Sequence, residues 1–301
     1  MKSVALKAYA KVNFGLAVIG RRKDGFHELR TIYQTISLAD HLDVVLSSGP
    51  PRVHLEVVGL KVPEGRENLA VRSAEAVLRE LRLKQKISIR LQKRIPSGSG
   101  LGGASSDAAA VIRAILHLTG KKLPLDRLVH IAASLGSDVP FFLWGGRALG
   151  VGRGEEVYPL PEQPRRWCVI IFPGMHISTA EAYRQLRSPR LTGIRTGHKI
   201  ELFCGMTNQG GSERFGNDFE PVVFSAIPHL IEVKRSLLRS EAEMASVSGS
   251  GSSVFGIFRD HPSARMAVRQ LRTPGHDVFL AHTVSRKEFQ AEFPGHAGYR
   301  L

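Results

Sequence analysis

The sequence predicts an α+β protein in two parts, and three observations carry that expectation. A chain of 301 residues is long enough to bury two separate cores. Its opening reads as strands, whereas strand, helix, strand and helix follow one another after about residue 167, the pattern of an α+β sandwich. Composition changes at Pro159–Pro164, which places the expected boundary between residues 1–160 and 161–301.

Each element has its own signal. Val12, Phe14, Leu16 and Val18 alternate with Lys11, Asn13, Gly15 and Ala17, the period-2 pattern of a strand with one apolar face. Arg22-Lys-Asp-Gly25 is a turn signal. Alternation returns at Leu42, Val44 and Leu46 and at Val53, Leu55 and Val57. Asn68 opens a helix carrying Leu69, Val77, Leu78 and Leu81. Ile87, Ile89 and Leu91 form a strand that runs into a glycine-rich loop. The helix after that loop stops at Gly120, and another, with Leu128, Ile131 and Leu135, stops at Gly136. Beyond the boundary, Trp167–Phe172 is a buried-type strand, and Ser178-Thr179-Ala180-Glu181 reads as a capping box opening a helix. Residues 188–217 read as a long loop, Asp218–Glu241 as mostly helical, Val254–Phe258 as a strand, 262–272 as a helix and 277–283 as a strand. There is no internal repeat.

Composition narrows the function. With 43% hydrophobic and 23% charged residues the chain is globular in type. No apolar run is long enough to span a bilayer, and Lys7 and Lys11 interrupt any secretory leader, so no membrane partner is expected. Cys168 and Cys204 form no C-x-x-C pair, which fits a reducing cytoplasm. The 12 histidines show no zinc spacing. A net charge of +15 favours anionic partners. The cations are scattered, with Arg21-Arg22-Lys23 the longest run and no interleaved aromatics, so a phosphorylated small molecule is expected rather than a specific nucleic acid.

The most informative stretch is Pro96-Ser97-Gly98-Ser99-Gly100-Leu101-Gly102-Gly103-Ala104-Ser105-Ser106-Asp107. Glycines tolerate positive φ and let N–H groups converge into an anion-binding nest. A helix starting there adds its positive end to the same point. Together these suggest a cradle for polyphosphate. Gly98-x-Gly100-x-x-Gly103 is a weak match to the dinucleotide fingerprint, because Pro96 separates strand from loop and no acid follows at the right distance. A Walker A loop is excluded, since the chain has no Gly-Lys-Ser/Thr.

Three further segments accompany the loop: Lys11-Val-Asn13, Leu135-Gly-Ser-Asp-Val-Pro140 and Val247-Ser-Gly-Ser-Gly-Ser-Ser253. With it they resemble the GHMP kinases, the superfamily of galactokinase, homoserine kinase, mevalonate kinase and phosphomevalonate kinase. Ala10–Leu16, Arg22–His27, Leu135–Phe141, Phe172-Pro-Gly174 and Asn217-Asp-Phe-Glu220 narrow the resemblance. They are similar to the branch that phosphorylates the 2-hydroxyl of 4-diphosphocytidyl-2-C-methyl-D-erythritol, a cytidyl diphosphate-linked alcohol of non-mevalonate isoprenoid synthesis. The segments run in that family's order over nearly the whole chain; residues 188–217 and the last fifteen or so add little.

The resemblance implies an N-terminal domain like domain 2 of ribosomal protein S5, a ferredoxin-like C-terminal α+β sandwich, and an active site in the cleft between them. It implies ATP as phosphoryl donor, and Mg2+ with ligands left unassigned. Asp138 becomes the catalytic aspartate, paired with Lys11, and Asn13 a contact to the erythritol. Phe26, where the family has Tyr, stacks on cytosine, and His27 reads the pyrimidine edge. Tyr183 is either the second aromatic of that sandwich or a core residue, and Thr179 joins the substrate side. Asn68, Leu69 and Lys93 surround the adenine, and the loop from Pro96 to Ser106 takes the phosphates. Gly249 and Gly251 either bring backbone to the phosphates or substrate, or make a tight turn. Read alone, Lys11 is a solvated edge lysine and Lys93 an exposed strand lysine. Two other functions stay open: another small-alcohol kinase of the superfamily, such as homoserine kinase, and a basic nucleic-acid-binding protein on an S5-like fold. The phosphate loop and the Lys11–Asp138 pairing argue against the second.

Overall fold

The computed structural model describes residues 1–186 and 216–292. A long antiparallel hairpin, β1 (Lys2–Arg21) and β2 (His27–Ser48), is its spine. β2 also pairs β4 (Gln85–Lys93) through its second half and β5 (Arg147–Val151) through its first. With β3 (Arg52–Gly59) parallel to β4, and β6 (Glu156–Pro159) beside β5, these strands make a six-stranded sheet. The second sheet is antiparallel, in the order β10 (Asp277–His282), β7 (Trp167–Phe172), β9 (Val254–Phe258), β8 (Met244–Val247).

Helices cover the outer faces. α1 (Leu69–Glu80), α2 (Gly103–Thr119), α3 (Leu125–Leu135) and α4 (Phe141–Trp144) share a core with the first sheet that includes Leu42, Val44, Ile89, Val111 and Ile115. α5 (Thr179–Gln185), α6 (Glu220–Ala226), α7 (Leu230–Arg239) and α8 (His261–Leu271) lie on the second sheet, around Ile171, Phe219, Leu237 and Phe258. A third core, with Val12, Phe14, Ile32, Ile170 and Phe255, joins the two sheets face to face. The layer order is therefore helix, sheet, sheet, helix, with α9 (Arg286–Ala291) closing one end through Phe289 against Tyr9.

Stacking between the sheets changes the reading of β1. The one-sided strand expected from its alternation is buried on both faces, Lys11 and Asn13 included. A register shift between Tyr9 and Ala10 exchanges the faces, because side chains alternate strictly along a strand. Leu6 and Ala8 point into the helix-side core, whereas Ala10, Val12 and Phe14 enter the core between sheets. Lys11 and Asn13 are left on the helix side, beside the glycine loop.

One other expectation is corrected. Ser178 sits at the N-cap of α5 without a side-chain cap bond, and Glu181 pairs with Arg184 and Gln185 instead, so the capping box is not formed. The box that does form is Ser285 with Glu288, opening α9. The helical stretch 218–241 is two helices, broken at Pro228, whose missing N–H and ring interrupt the ladder. Most of the expected loop 188–217, Cys204 included, lies outside the described residues.

Candidate active site

The glycine loop leaves the end of β4 and enters α2. Asp40 of β2 shapes its first turn: one carboxylate oxygen accepts Arg94 N–H at 2.5 Å and Ile95 N–H at 2.8 Å. Gly102, with φ +73°, caps α2, and a Cβ there would stand 2.9 Å from the Phe142 ring. Gly100, with φ +79°, has the carbonyl oxygen of Ser248 only 2.0 Å from where its Cβ would be. That close approach is how the Val247–Ser253 segment reaches the loop: Ser248 Oγ donates to Gly100 O at 2.9 Å, and Ser253 N–H to Ser99 O at 3.0 Å. Asn217 holds this segment from behind, its amide donating to Val247 O at 2.9 Å and Gly249 O at 2.6 Å.

A cavity of about 500 Å3 opens between the two loops. On its floor Lys11 Nζ lies 2.7 Å from Asn13 Oδ1 and 3.4 Å from Asp138 Oδ2. Lys11 is buried, whereas the Asp138 side chain keeps 30% of its surface open. The other oxygen of Asp138 accepts the Tyr33 hydroxyl at 2.9 Å. Asn13 is fixed in turn by donating to Thr31 Oγ1 at 2.7 Å. Tyr33, stacked on Phe141, is held well above the ordinary tyrosine range by burial and by the Asp138 charge, so it is a donor at all physiological pH.

Behind the loop is a buried cluster. Lys93 Nζ contacts the Asp40 carboxylate and lies 2.9 Å from Asp107 Oδ2. Burial alone would lower the Lys93 pKa; Asp107 and Asp40 outweigh it and raise it. Burial pushes Asp107 up to about 7, opposed by Lys93 and reinforced by Asp40.

A second cavity, of about 680 Å3, adjoins the first and shares Ser137, Arg153, Thr179 and Tyr183 with it. Phe26, 52% exposed, and His27 line it. The Arg153 guanidinium covers one face of Phe26 at 4.7 Å. His27 stacks on Tyr183, ring centroids 4.9 Å apart and planes 23° from parallel. Burial, then the Arg21 charge, lowers the His27 pKa, so the ring is neutral at pH 7.

The structure thus gathers Lys11, Asn13, Asp138, Thr179, Tyr183, Gly249, Gly251 and Lys93 on one cavity with the loop from Pro96 to Ser105, and Phe26 and His27 on the next. Four expected residues stand off the wall. Asn68 spends its side chain capping α1, accepting Ala70 N–H at 2.9 Å. Leu69 packs on the helix-side core. Leu101 points into the core between sheets, its carbonyl accepting Lys11 N–H at 3.0 Å. Ser106 is buried in the first turn of α2. Lys11 and Lys93 are both buried, so neither is a solvated lysine. Sequence reasoning missed Tyr33, Arg153, Asp40 and Asn217. The first three carry no spacing signal, and Asn217 stands out in the sequence only as part of the Asn217–Glu220 motif.

Two family models match the chain, GHMP kinases N terminal domain over residues 68–146 and GHMP kinases C terminal over residues 198–277. The 4-diphosphocytidyl-2-C-methyl-D-erythritol kinase of Solibacter usitatus is 47% identical over 292 residues, 95% of this chain and 90% of that protein. The enzyme of the same name from Moorella thermoacetica is 38% identical over 94% of this chain and 100% of its own length. Among solved structures, a 4-(cytidine 5'-diphospho)-2C-methyl-D-erythritol kinase superposes with a TM-score of 0.76 at 36% identity, covering 93% of this chain and 99% of that one. A homoserine kinase from Cytophaga hutchinsonii, 24% identical with a TM-score of 0.71 and coverage of 93% and 95%, shares the fold. The architecture is the two-domain α+β fold of the GHMP kinases.

Proposed function

We propose how this site works from one premise: the chain belongs to the 4-diphosphocytidyl-2-C-methyl-D-erythritol kinases of the GHMP superfamily. Its reaction is transfer of the γ-phosphoryl group of ATP to the 2-hydroxyl of 4-diphosphocytidyl-2-C-methyl-D-erythritol, giving the 2-phosphate and ADP. The relatives favour this reading over homoserine kinase, which matches at the level of fold.

One observation supports the assignment of roles above the rest. A buried ammonium and a half-open carboxylate face each other at 3.4 Å on the floor of the cavity that the glycine loop roofs. Phosphoryl transfer needs the acceptor hydroxyl held in line with the γ-phosphate and a group to receive its proton. Asp138 receives that proton, within reach because Tyr33 and Lys11 fix its two oxygens. Lys11 is its counter-charge and faces the charge that develops on the transferring group. Asn13 orients the erythritol. The N–H groups of the loop and of the first turn of α2 bind the phosphates. Phe26 offers a ring face to the cytosine, and neutral His27 offers donor and acceptor to its edge. Arg153, on both cavities, suits the diphosphate between them.

Magnesium fits the cavity through the nucleotide, since this ion keeps several waters and takes phosphate oxygens, with the Ser105 hydroxyl on the wall as the protein oxygen that would join them. Bound with ATP it would neutralise phosphate charge. We place the domain division at residue 160, between β6 and β7, and the enzyme in the cytoplasm. Release of ADP measured over a panel of acceptor alcohols tests the reading. The cytidyl alcohol is expected to be the preferred acceptor; equal or faster turnover of homoserine would overturn it.

A further inference from the structure

Two carboxyls and one ammonium form a closed cluster directly under the start of α2. Asp40 from β2 and Asp107 from α2 both contact Lys93 from β4, and all three are buried. The nucleotide end of the cavity is immediately adjacent: Lys93 lines it, and a Cβ on Gly103, the first residue of α2, would stand 2.9 Å from Lys93 Nζ.

The carboxyls are not equivalent. Asp40 has Arg94 and Ile95 N–H on one oxygen and Lys93 on the other. Asp107 has Lys93 alone, and its Oδ1 is buried without a hydrogen-bond partner among the described residues. Both carboxyls meet the same buried ammonium, Asp40 through Oδ2 and Asp107 through Oδ2. One ammonium cannot balance two carboxylates in a buried site, whereas it balances one carboxylate beside a neutral carboxyl. With both ionised the cluster carries one net negative charge; with one proton it is neutral. That charge lies at the helix end where the loop N–H groups gather phosphate.

We propose that Asp107 is a positioning residue of the nucleotide site that works by taking up a proton: ATP binds to the form in which Asp107 is a neutral carboxyl and Asp40 alone balances Lys93. The proton comes from solvent and stays within the Asp107–Asp40 pair. Incoming phosphate charge favours the neutral cluster, and the neutral cluster favours phosphate, by the same coupling. The charged groups facing Asp107 among the described residues are Lys93 and Asp40. Its high affinity for a proton, set by burial with Asp40 adding to it and Lys93 opposing it, puts the change near pH 7.

The inference rests on the glycine loop binding ATP phosphates. Calorimetric titration of the full chain with ATP, in two buffers of different ionisation enthalpy between pH 6.5 and 8.5, counts the protons taken up. The same titration of Asp107→Asn, which mimics the neutral carboxyl, subtracts the titration of ATP itself. The wild type should take up a further fraction of a proton near pH 7. Its ATP affinity should fall by up to roughly tenfold per pH unit above neutrality relative to the variant. The variant should bind ATP at pH 8.5 at least as tightly as the wild type. Should the variant not fold, difference infrared spectroscopy of the wild type gives an independent readout: a new protonated-carboxyl band on ATP binding is expected. ATP binding with equal proton counts in both proteins, or without that band, overturns this inference alone. Absence of ATP binding overturns the loop assignment with it.

Discussion

Asp138 is held at both oxygens, by Tyr33 at 2.9 Å and Lys11 at 3.4 Å, and still presents part of its surface to the cavity. A general base so fixed contributes roughly 10²–10⁴-fold. Asp138→Asn keeps the shape and removes the proton acceptor. Its kcat should collapse by that order while calorimetry still detects ATP and the cytidyl alcohol. Lys11→Ala should lower kcat too, and the double variant should be little worse than the worse single one, because paired groups act as a unit. A kcat for Asp138→Asn near that of the wild type would remove this aspartate from the mechanism. At the other end of the site, Phe26 offers one open ring face, the other being under Arg153. Phe26→Ala should raise KM for the cytidyl alcohol by the equivalent of ~1–3 kcal/mol and leave KM for ATP nearly unchanged. Equal rises in both would make Phe26 a structural plug.

At the scale of elements, the glycine loop is set by two close approaches. Gly100 admits the Ser248 carbonyl, a backbone atom that cannot swing away, so Gly100→Ala should part the two loops and lose ATP affinity together with some Tm. Gly103 is different. A valine there would press on Lys93 Nζ at 2.9 Å and Ile95 Cγ2 at 3.0 Å. Its weaker ATP binding would come with a disturbed Lys93 cluster and a lower Tm. A side chain that only blocked phosphate would leave Tm unchanged. A thermal melt beside a calorimetric titration separates the two. The Asp107 cluster also has a signature in stability. Asp107 holds its proton more tightly folded than unfolded, up to about 7 against the ordinary carboxylate range. Its share of stability is present below pH 4 and is lost as pH rises through 7. The pH dependence of Tm should therefore be flatter over that range in Asp107→Asn.

For the molecule as a whole, the net charge is +15, and exposed cations such as Arg66, Arg127 and Arg235 stand outside the lining of both cavities. Any RNA or DNA binding should be weak, independent of sequence and lost as salt rises. Tight, sequence-selective binding at physiological salt in a filter or gel assay would reopen the nucleic-acid reading. The two sheets share a continuous apolar core through β1 and β2, so the halves should melt in one transition by calorimetry.

By itself the sequence determined what depends on neighbours along the chain. The strand before the loop, the glycine loop, the helix after it with its stop at Gly120, and the second sheet's β7, β9 and β10 all follow from periodicity, caps and breakers, which are local signals. The motifs also carried the family. Tertiary structure decided which sides of those elements are inside and which charges meet. Lys11 reads as a surface lysine until the shift at Tyr9/Ala10 turns it toward the glycine loop and the second sheet covers β1. Lys93 reads as exposed until Asp40, 53 residues away, and Asp107 close around it. Tyr33 and Arg153 have no local signature, since a hydrogen bond across 105 residues or a ring face at 4.7 Å leaves no period or spacing to read. Burial and long-range pairing are properties of packed layers, and a one-dimensional pattern records only the residue types that packing can use.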